Sequence, residues 1–390
     1  MDDLKFHYWM KVLSISSDRK IFEAGSAVRS RMVMYAGLFE ELHIVVFNSG
    51  LFKREQIAPN AWMYPTNSWS RWFYIWDAVR IGSSIIRNWK LEIRNCVITS
   101  QDPFECGLVG RKLSERSGIR FQVQVHTDFL NPYFASAFFL NRIRVSIARR
   151  VLSQVSAVRV VSERIKNSLI QNPKFKIPES KIFVLPVYTD FEKYNLVEAS
   201  FDLKQKYPDW SFIIVMVTRL SAEKNISFAF TLLKELLKKY PKTGLVIVGD
   251  GSMKDSLQSE VVRSRLTEHV AFEGNQKEVI SYYKTAHLFL QTSLYEGFGL
   301  ALLEAVMSGC PSVSTDTGIA PELLNHKGHS FVCAVNDTPC FVATISRLIE
   351  DNQLRTFFSL EIAPDASAPF ILDREEYLKK YRFSLEAALR

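Results

Sequence analysis

Two successive series of short apolar strands alternating with helices predict an α/β protein of two doubly wound domains facing a central cleft. Three observations carry that expectation. The chain has 390 residues, too many for one ordinary core. The alternation requires βαβ units, parallel sheets and right-handed crossovers. Polar or glycine residues also follow the strands of the second half, where ligands sit in open sheets of this kind.

The first strand is Met10-Lys11-Val12-Leu13-Ser14-Ile15-Ser16. A loop with Gly25-Ser26-Ala27 follows, then a helix over 28–41. Strands over 43–47, 96–100, 121–125, 158–162 and 182–186 continue the series, with helix over 67–94 and 105–118. A linker over 194–206 leads to the second series. Its strands are expected over 212–217, 244–249, 269–272, 288–291 and 312–315, with a helix over 227–240. A last helix covers 373–389. The expected domains are 1–195 and 196–372, with the helix of 373–390 crossing back to the first.

Lys and Arg outnumber Asp and Glu by 49 to 41. That excess favours anionic partners, phosphates or an anionic membrane surface. No zinc-ligand spacing, basic zipper or RNA-recognition signature is present, so nucleic acid is not an expected partner. The five cysteines, Cys96, Cys106, Cys310, Cys333 and Cys340, form no Cys-x-x-Cys pair. A reduced, cytoplasmic setting is expected over a disulfide framework. Met1-Asp2-Asp3-Leu4-Lys5 starts acidic without an apolar run, so no signal peptide is expected, and no stretch is apolar enough to span a bilayer.

The most informative stretch is Glu296-Gly297-Phe298-Gly299-Leu300, running into Ala301-Leu302-Leu303-Glu304. Eight steps of one continuous helix would turn the two acids about 80° apart after two full turns. The glycines put Glu296 in a loop instead, with a helix starting at 298–300 and Glu304 about one turn inside. The free N–H groups and positive end of that helix make an anion site. Two acids beside an anion site suit a ligand with hydroxyls and phosphates, such as a nucleotide-sugar. Arg219 and Lys224 share one strand-to-helix loop, where they either clamp a diphosphate or make solvated surface pairs. Gly249-Asp250-Gly251 is a tight turn, and Glu273-Gly274-Asn275 ends the next strand, in a position to border a base.

Taken in order with Thr317-Gly318-Ile319-Ala320-Pro321-Glu322, this set resembles the donor-binding half of the retaining glycosyltransferases of family 4. Their fold is GT-B, two Rossmann-like domains. The resemblance is strong over 212–324 and weaker but consistent before it. It implies that Arg219 and Lys224 bind the donor diphosphate and that Glu296 meets the transferred sugar. The N–H groups of Phe298, Gly299 and Leu300 would lie near the phosphate, and Glu304 would hold the ribose. Gly25, Ser26, Gly249, Gly251, Gly274 and Asn275 would complete the donor site. His126 would stand close to the sugar; without the resemblance, a histidine ending a strand is a capping or packing residue. Asp128 either joins the acceptor or caps the next turn.

The implied reaction moves a sugar from a UDP-, GDP- or ADP-sugar to a hydroxyl of a glycan or lipid-linked acceptor, with retention and without a metal or other cofactor. The leaving phosphate would take the acceptor's proton. The alternatives are a GT-B epimerase or hydrolase, and a non-catalytic nucleotide-sugar or membrane-binding subunit. Two departures from the family pattern stand out. Gly25-Ser26 replaces the usual paired glycines, and Pro186-Val187-Tyr188-Thr189-Asp190 stands where Asn-Gly is common. Just beyond Ser26, Arg29 and Arg31 either meet an anionic acceptor or solvate their helix.

Trp69, Trp72, Phe73, Trp76 and Val79 fall on one helical stripe, with Arg80, Arg87 and Lys90 elsewhere. Phe138-Phe139-Leu140-Asn141-Arg142-Ile143-Arg144 is similar in character. Both segments either pack on the first sheet or also lie in a membrane surface, which would place the protein on the inner face of the membrane.

Overall fold

The computed structural model describes residues 10–89, 93–175, 177–190, 194 and 196–390. Lys90 and the segment Met1 to Lys5 lie outside the described residues. The chain divides into two compact units, Met1–Tyr188 with Asp373–Arg390, and Thr189–Leu372.

The first unit holds strands β1 (Lys11–Ser16), β2 (Glu41–Val46), β3 (Glu55–Ala58), β4 (Ala61–Pro65), β5 (Cys96–Ser100), β6 (Arg120–Val125), β7 (Ala157–Val160) and β8 (Ile182–Val184). Their order is β3-β4-β2-β1-β5-β6-β7-β8. Every neighbouring pair is parallel except β3 with β4. The central strands β5 and β6 are buried on both faces, as parallel strands covered by helices must be. Because β1 pairs with both β2 and β5, the strand order reverses beside it, at the carboxyl ends of β1 and β5. The terminal helix Arg374–Leu389 belongs to this unit. It buries Tyr377, Tyr381 and Leu385, and its Ser384 carbonyl accepts from Gln122 Nε2 at 2.5 Å.

The second unit holds β9 (Phe212–Val217), β10 (Thr243–Val248), β11 (Val270–Gly274), β12 (Leu288–Gln291), β13 (Ser312–Thr315), the pair β14 (Asn325–His326) and β15 (His329–Ser330), and β16 (Val332–Cys333). The main sheet, β11-β10-β9-β12-β13-β16, is entirely parallel. Its reversal lies at β9 and β12, so the loops after those strands meet.

Several sequence expectations need correction. The helix over 28–41 stops at Ala36, and Glu41 opens β2 instead. Over 67–94 the α-helix is only Tyr74–Asn88, and Trp69 and Trp72 precede it, so the proposed stripe does not exist. Of its five members only Val79 is core; Trp69 and Trp72 are 90% and 84% exposed, and Trp76 is exposed as well. Phe138, Phe139 and Leu140 are likewise exposed. Packing on the sheet is therefore not what these aromatics do. The cysteines are not all reduced, since Cys333 and Cys340 form a disulfide. Cys333 ends β16, and the chain turns back so that the first turn of the helix Thr338–Glu350 brings Cys340 beside it.

Candidate active site

The loops at the carboxyl ends of the second sheet are tied to one another by backbone bonds. Thr218 N–H donates to Val248 C=O at 2.8 Å, and Leu220 N–H to Asp250 C=O at 3.0 Å. Leu294 N–H donates to Glu223 C=O, and Ile319 N–H to Phe298 C=O, each at 2.8 Å. Such close approach leaves no room for side chains at three points, one of them Gly251, where a Cβ would lie 2.3 Å from Leu220 O. Gly249, at φ 139°, would put a Cβ 1.8 Å from Thr218 O. Gly318, at φ 55°, would put one 2.2 Å from Phe298 O and 3.1 Å from the Glu296 Cβ.

This frame positions the charged groups. Lys224 closes the short turn Ala222–Lys224, and Asn225, in the left-handed region at φ 52°, starts the helix Ile226–Leu237. The Thr292 hydroxyl donates to Lys224 C=O at 3.0 Å, pinning the turn to the end of β12. Lys224 Nζ donates to Glu296 Oε1 at 2.5 Å, and the Ser293 hydroxyl donates to the same oxygen at 2.7 Å. Both partners of this pair are largely shielded from water. Arg219 is mostly exposed and donates to Glu223 Oε1 at 2.9 Å, joined there by Ser221 Oγ at 2.6 Å. Burial raises the Glu223 carboxyl, but the Ser221 hydroxyl and Arg219 outweigh it, so its pKa lies below the ordinary value.

Glu296 stands in the loop, and Glu304 lies inside the helix Leu300–Met307, which Gly299 caps at φ 100°. The Glu304 carboxylate accepts from the Tyr283 hydroxyl at 3.1 Å and also from Tyr194. Burial first, and then the Glu304 charge, raises both phenol pKa values, so both remain donors. Phe298 and Leu300 flank the helix start; Leu302 and Leu303 N–H donate to Gly299 C=O at 3.1 and 3.2 Å, and the N–H groups before Leu302 precede the first of these bonds. Gly274 ends β11 and the exposed Asn275 follows it, and Gly251 N–H donates to the side chain of Asp250. The Glu273 carboxylate is taken up by Lys206, Tyr207 and Tyr282, which removes it from the edge of a base site.

The remaining candidates lie in the first unit. Gly25 is left-handed at φ 79°, and Ser26 caps the helix Ala27–Ala36 by accepting from Arg29 N–H at 3.2 Å. Arg29 itself is held by both carboxylate oxygens of Glu55. Asp128 is buried, and burial pushes its carboxyl upward. His126 bonds through Nε2 to Gln124 Oε1 at 3.2 Å. Burial, then the charges of Arg159 and Arg31, lowers its pKa to about 3. Sequence reasoning missed Ser293, Glu223, Tyr194 and Tyr283. Ser293 had a weak signal, lying three residues before Glu296; the two tyrosines had none, since they reach Glu304 only through the fold.

Among the described residues no cluster of three or more His, Cys, Asp or Glu is placed to hold a metal ion. No described helix is long and apolar enough to cross a membrane.

Residues 200–360 match the family model described as glycosyl transferases group 1. Over 245 residues the chain is 25% identical to an uncharacterised glycosyltransferase of Methanocaldococcus jannaschii, covering 61% of this chain and 58% of that one. It is 26% identical to the alpha-monoglucosyldiacylglycerol synthase of Streptococcus pneumoniae, covering 59% and 54%. It is 28% identical to an Escherichia coli UDP-Gal:alpha-D-GlcNAc-diphosphoundecaprenol alpha-1,3-galactosyltransferase, covering 45% and 46%. The chain thus spans about half the length of the relatives it matches. Among solved structures, HepE of Anabaena in complex with UDP and glucose superposes with a TM-score of 0.73 at 20% identity, covering 97% and 99%. Sucrose-phosphate synthase of Thermosynechococcus elongatus reaches 0.78 at 15%, covering 96% and 98%. The chain has the GT-B fold and carries, over residues 200–360, the glycosyl transferases group 1 signature.

Proposed function

We propose that this protein is a retaining, metal-independent glycosyltransferase that moves a sugar from a UDP-sugar to a hydroxyl of a membrane-presented acceptor. The observation that carries the reading is the shielded Lys224–Glu296 pair beside the start of the helix Leu300–Met307. On donor binding, Lys224 exchanges Glu296 for the diphosphate, and the freed Glu296 carboxylate accepts from sugar hydroxyls. Arg219 and the helix N–H groups share the phosphate charge, the role a divalent ion has in metal-dependent enzymes. Glu304, oriented by Tyr194 and Tyr283, accepts from the ribose hydroxyls. The bond from the anomeric carbon to the phosphate oxygen breaks with its electron pair going to phosphate. The acceptor oxygen bonds that carbon on the same face, and its proton passes to the leaving phosphate. His126 is neutral throughout the physiological range and so does not act as an acid.

The preference for uridine rests on UDP in the HepE complex and UDP-Gal in the E. coli relative's name. A membrane-presented acceptor is supported by relatives named for a diacylglycerol and an undecaprenol product or acceptor. It is supported too by a groove of about 1000 Å³ along the helix Tyr74–Asn88. Trp72, Trp76, Arg80, Arg87, Lys112 and Arg116 line it, and among the described residues no acidic one does. Exposed tryptophan beside arginine suits an anionic headgroup layer, with the protein peripheral to the membrane. The test is turnover of UDP-sugars in EDTA, with product configuration read by the anomeric proton coupling. Retained configuration and unchanged rates are expected; inverted product, or a rate restored only by added metal, contradicts the reading.

A further inference from the structure

We propose that the first unit contains an oxyanion site of its own, a cavity at the reversal point of its sheet that takes one phosphate-sized group. The cavity has a volume of about 100 Å³. Ser16, Gln101, Gln124, His126, Arg31 and Arg159 are among the residues that line it. It lies off the carboxyl ends of β1, β5 and β6, where open α/β sheets receive ligands. That volume is enough to hold several waters, and so to admit a phosphate-sized group.

Its charge is one-sided. Arg159 is 2% exposed and, among the described residues, donates only to neutral acceptors: Leu185 C=O, Pro186 C=O, Gln124 Oε1 and the Tyr377 hydroxyl, at 2.6–3.1 Å. Nearby Tyr35 stays protonated, because burial raises its pKa well above the ordinary value. Arg31 is half-buried and makes no hydrogen bond or ion pair with any described residue. Two residues earlier, Arg29 is held by Glu55. Sequestering guanidinium charge without a counter-ion is costly, and a bound oxyanion removes that cost. A purely structural Arg159 accounts for its own four bonds but not for Arg31, which lines the same cavity.

The hydrogen-bonded groups around these arginines bring no charge to the cavity. Arg159 donates to Gln124 Oε1, and Gln124 Nε2 donates to Thr99 Oγ1 at 3.1 Å. The Gln124 oxygen is therefore an acceptor, so His126 carries its proton on Nε2 and adds no charge of its own. Assigning the occupant to the acceptor substrate rests on the transferase reading; the existence of the site does not. The acceptor's phosphate then belongs either to a lipid-linked glycan or to a soluble sugar phosphate.

The test is calorimetric titration of the full chain with inorganic phosphate at low salt, with UDP saturating the second unit. Wild type should bind, Arg31→Gln should bind at least ten-fold more weakly, and Arg31→Lys should recover part of the loss. UDP affinity should be the same in all three, which also shows that the variants fold. Absence of binding in wild type, or equal binding in Arg31→Gln, overturns the proposal. Should UDP not bind at all, the transferase reading fails while an Arg31-dependent phosphate response still establishes the site. Competition by a short-chain prenyl phosphate or by a sugar phosphate then identifies which class occupies it.

Discussion

The candidate sites of the two units treat their cations in opposite ways. In the second, Lys224 is paired with Glu296 and Arg219 with Glu223, so each positive group already has an acid at hydrogen-bond distance. In the first, Arg31 and Arg159 share a small cavity that, among the described residues, only neutral groups line with them. A paired site binds an anion by exchange: the acid must give up the cation, and it becomes available for another ligand group when it does. An unpaired site binds by neutralisation, with no partner to displace. Exchange couples recognition of phosphate to recognition of sugar hydroxyls, as a bipartite donor requires. Neutralisation reads charge alone, and for that reason should respond more steeply to salt.

The comparison can be broken most severely at the frame of the second unit. Gly249→Ala forces a Cβ into the Thr218 carbonyl, a contact with backbone that no rotamer relieves. We expect a loss of about 4 kcal/mol or more in the second unit's unfolding, with the first unit's transition unchanged. Calorimetry that shows a single shifted transition, or none, contradicts this division.

Exchange is tested at Glu296. Glu296→Gln removes the acid that holds Lys224, so UDP should bind as tightly as to wild type or up to about ten-fold more tightly. Transfer should fall by about 10²–10³, because the acceptor for the sugar hydroxyls is lost. Weaker UDP binding in this variant would mean that the pair supports the site rather than competing with its ligand.

Neutralisation is tested by acid. The folded pKa of His126, about 3, lies below its unfolded value near 6.5. The unfolded chain therefore binds the proton more readily. The contribution of His126 to stability is complete above pH 6.5 and is lost progressively as pH falls toward 3. Urea unfolding of the first unit should lose stability more steeply across that window in wild type than in His126→Gln. Saturating phosphate should reduce the difference, since it offsets the two arginine charges. The smallest expected effect is at the surface. Trp72→Ser with Trp76→Ser should weaken binding to anionic vesicles several-fold without changing UDP affinity, as co-sedimentation would show.

Much of this arrangement is legible in the sequence where the signal is local. The strands from β9 to β13 follow from apolar runs, and the separation of Glu296 from Glu304 follows from Gly297 and Gly299 breaking the helical period. Arg219 and Lys224 stand on one short loop. What escaped detection depends on partners distant in the chain. Arg29 and Arg31 look alike until Glu55, 26 residues on, takes only the first. Arg159 reads as one more residue of a buried strand until the terminal helix supplies Tyr377 from 218 positions away. Strands β3 and β4 were missed because β3 is short, edge-paired and exposed at Glu55 and Gln56. The exposure of Trp69 and Trp72 depends on where a helix starts, which aromatic periodicity alone does not fix. The Cys333–Cys340 bond joins a strand end to a helix start, a pairing with no motif spacing.

The most direct test is calorimetric titration with UDP in EDTA on wild type, Lys224→Ala and Arg31→Gln. The account predicts binding to wild type and Arg31→Gln with equal affinity, and binding to Lys224→Ala weakened by two orders of magnitude or more. Equal UDP affinity in Lys224→Ala, or a loss in Arg31→Gln instead, would show that the diphosphate is not held by the paired cation of the second unit.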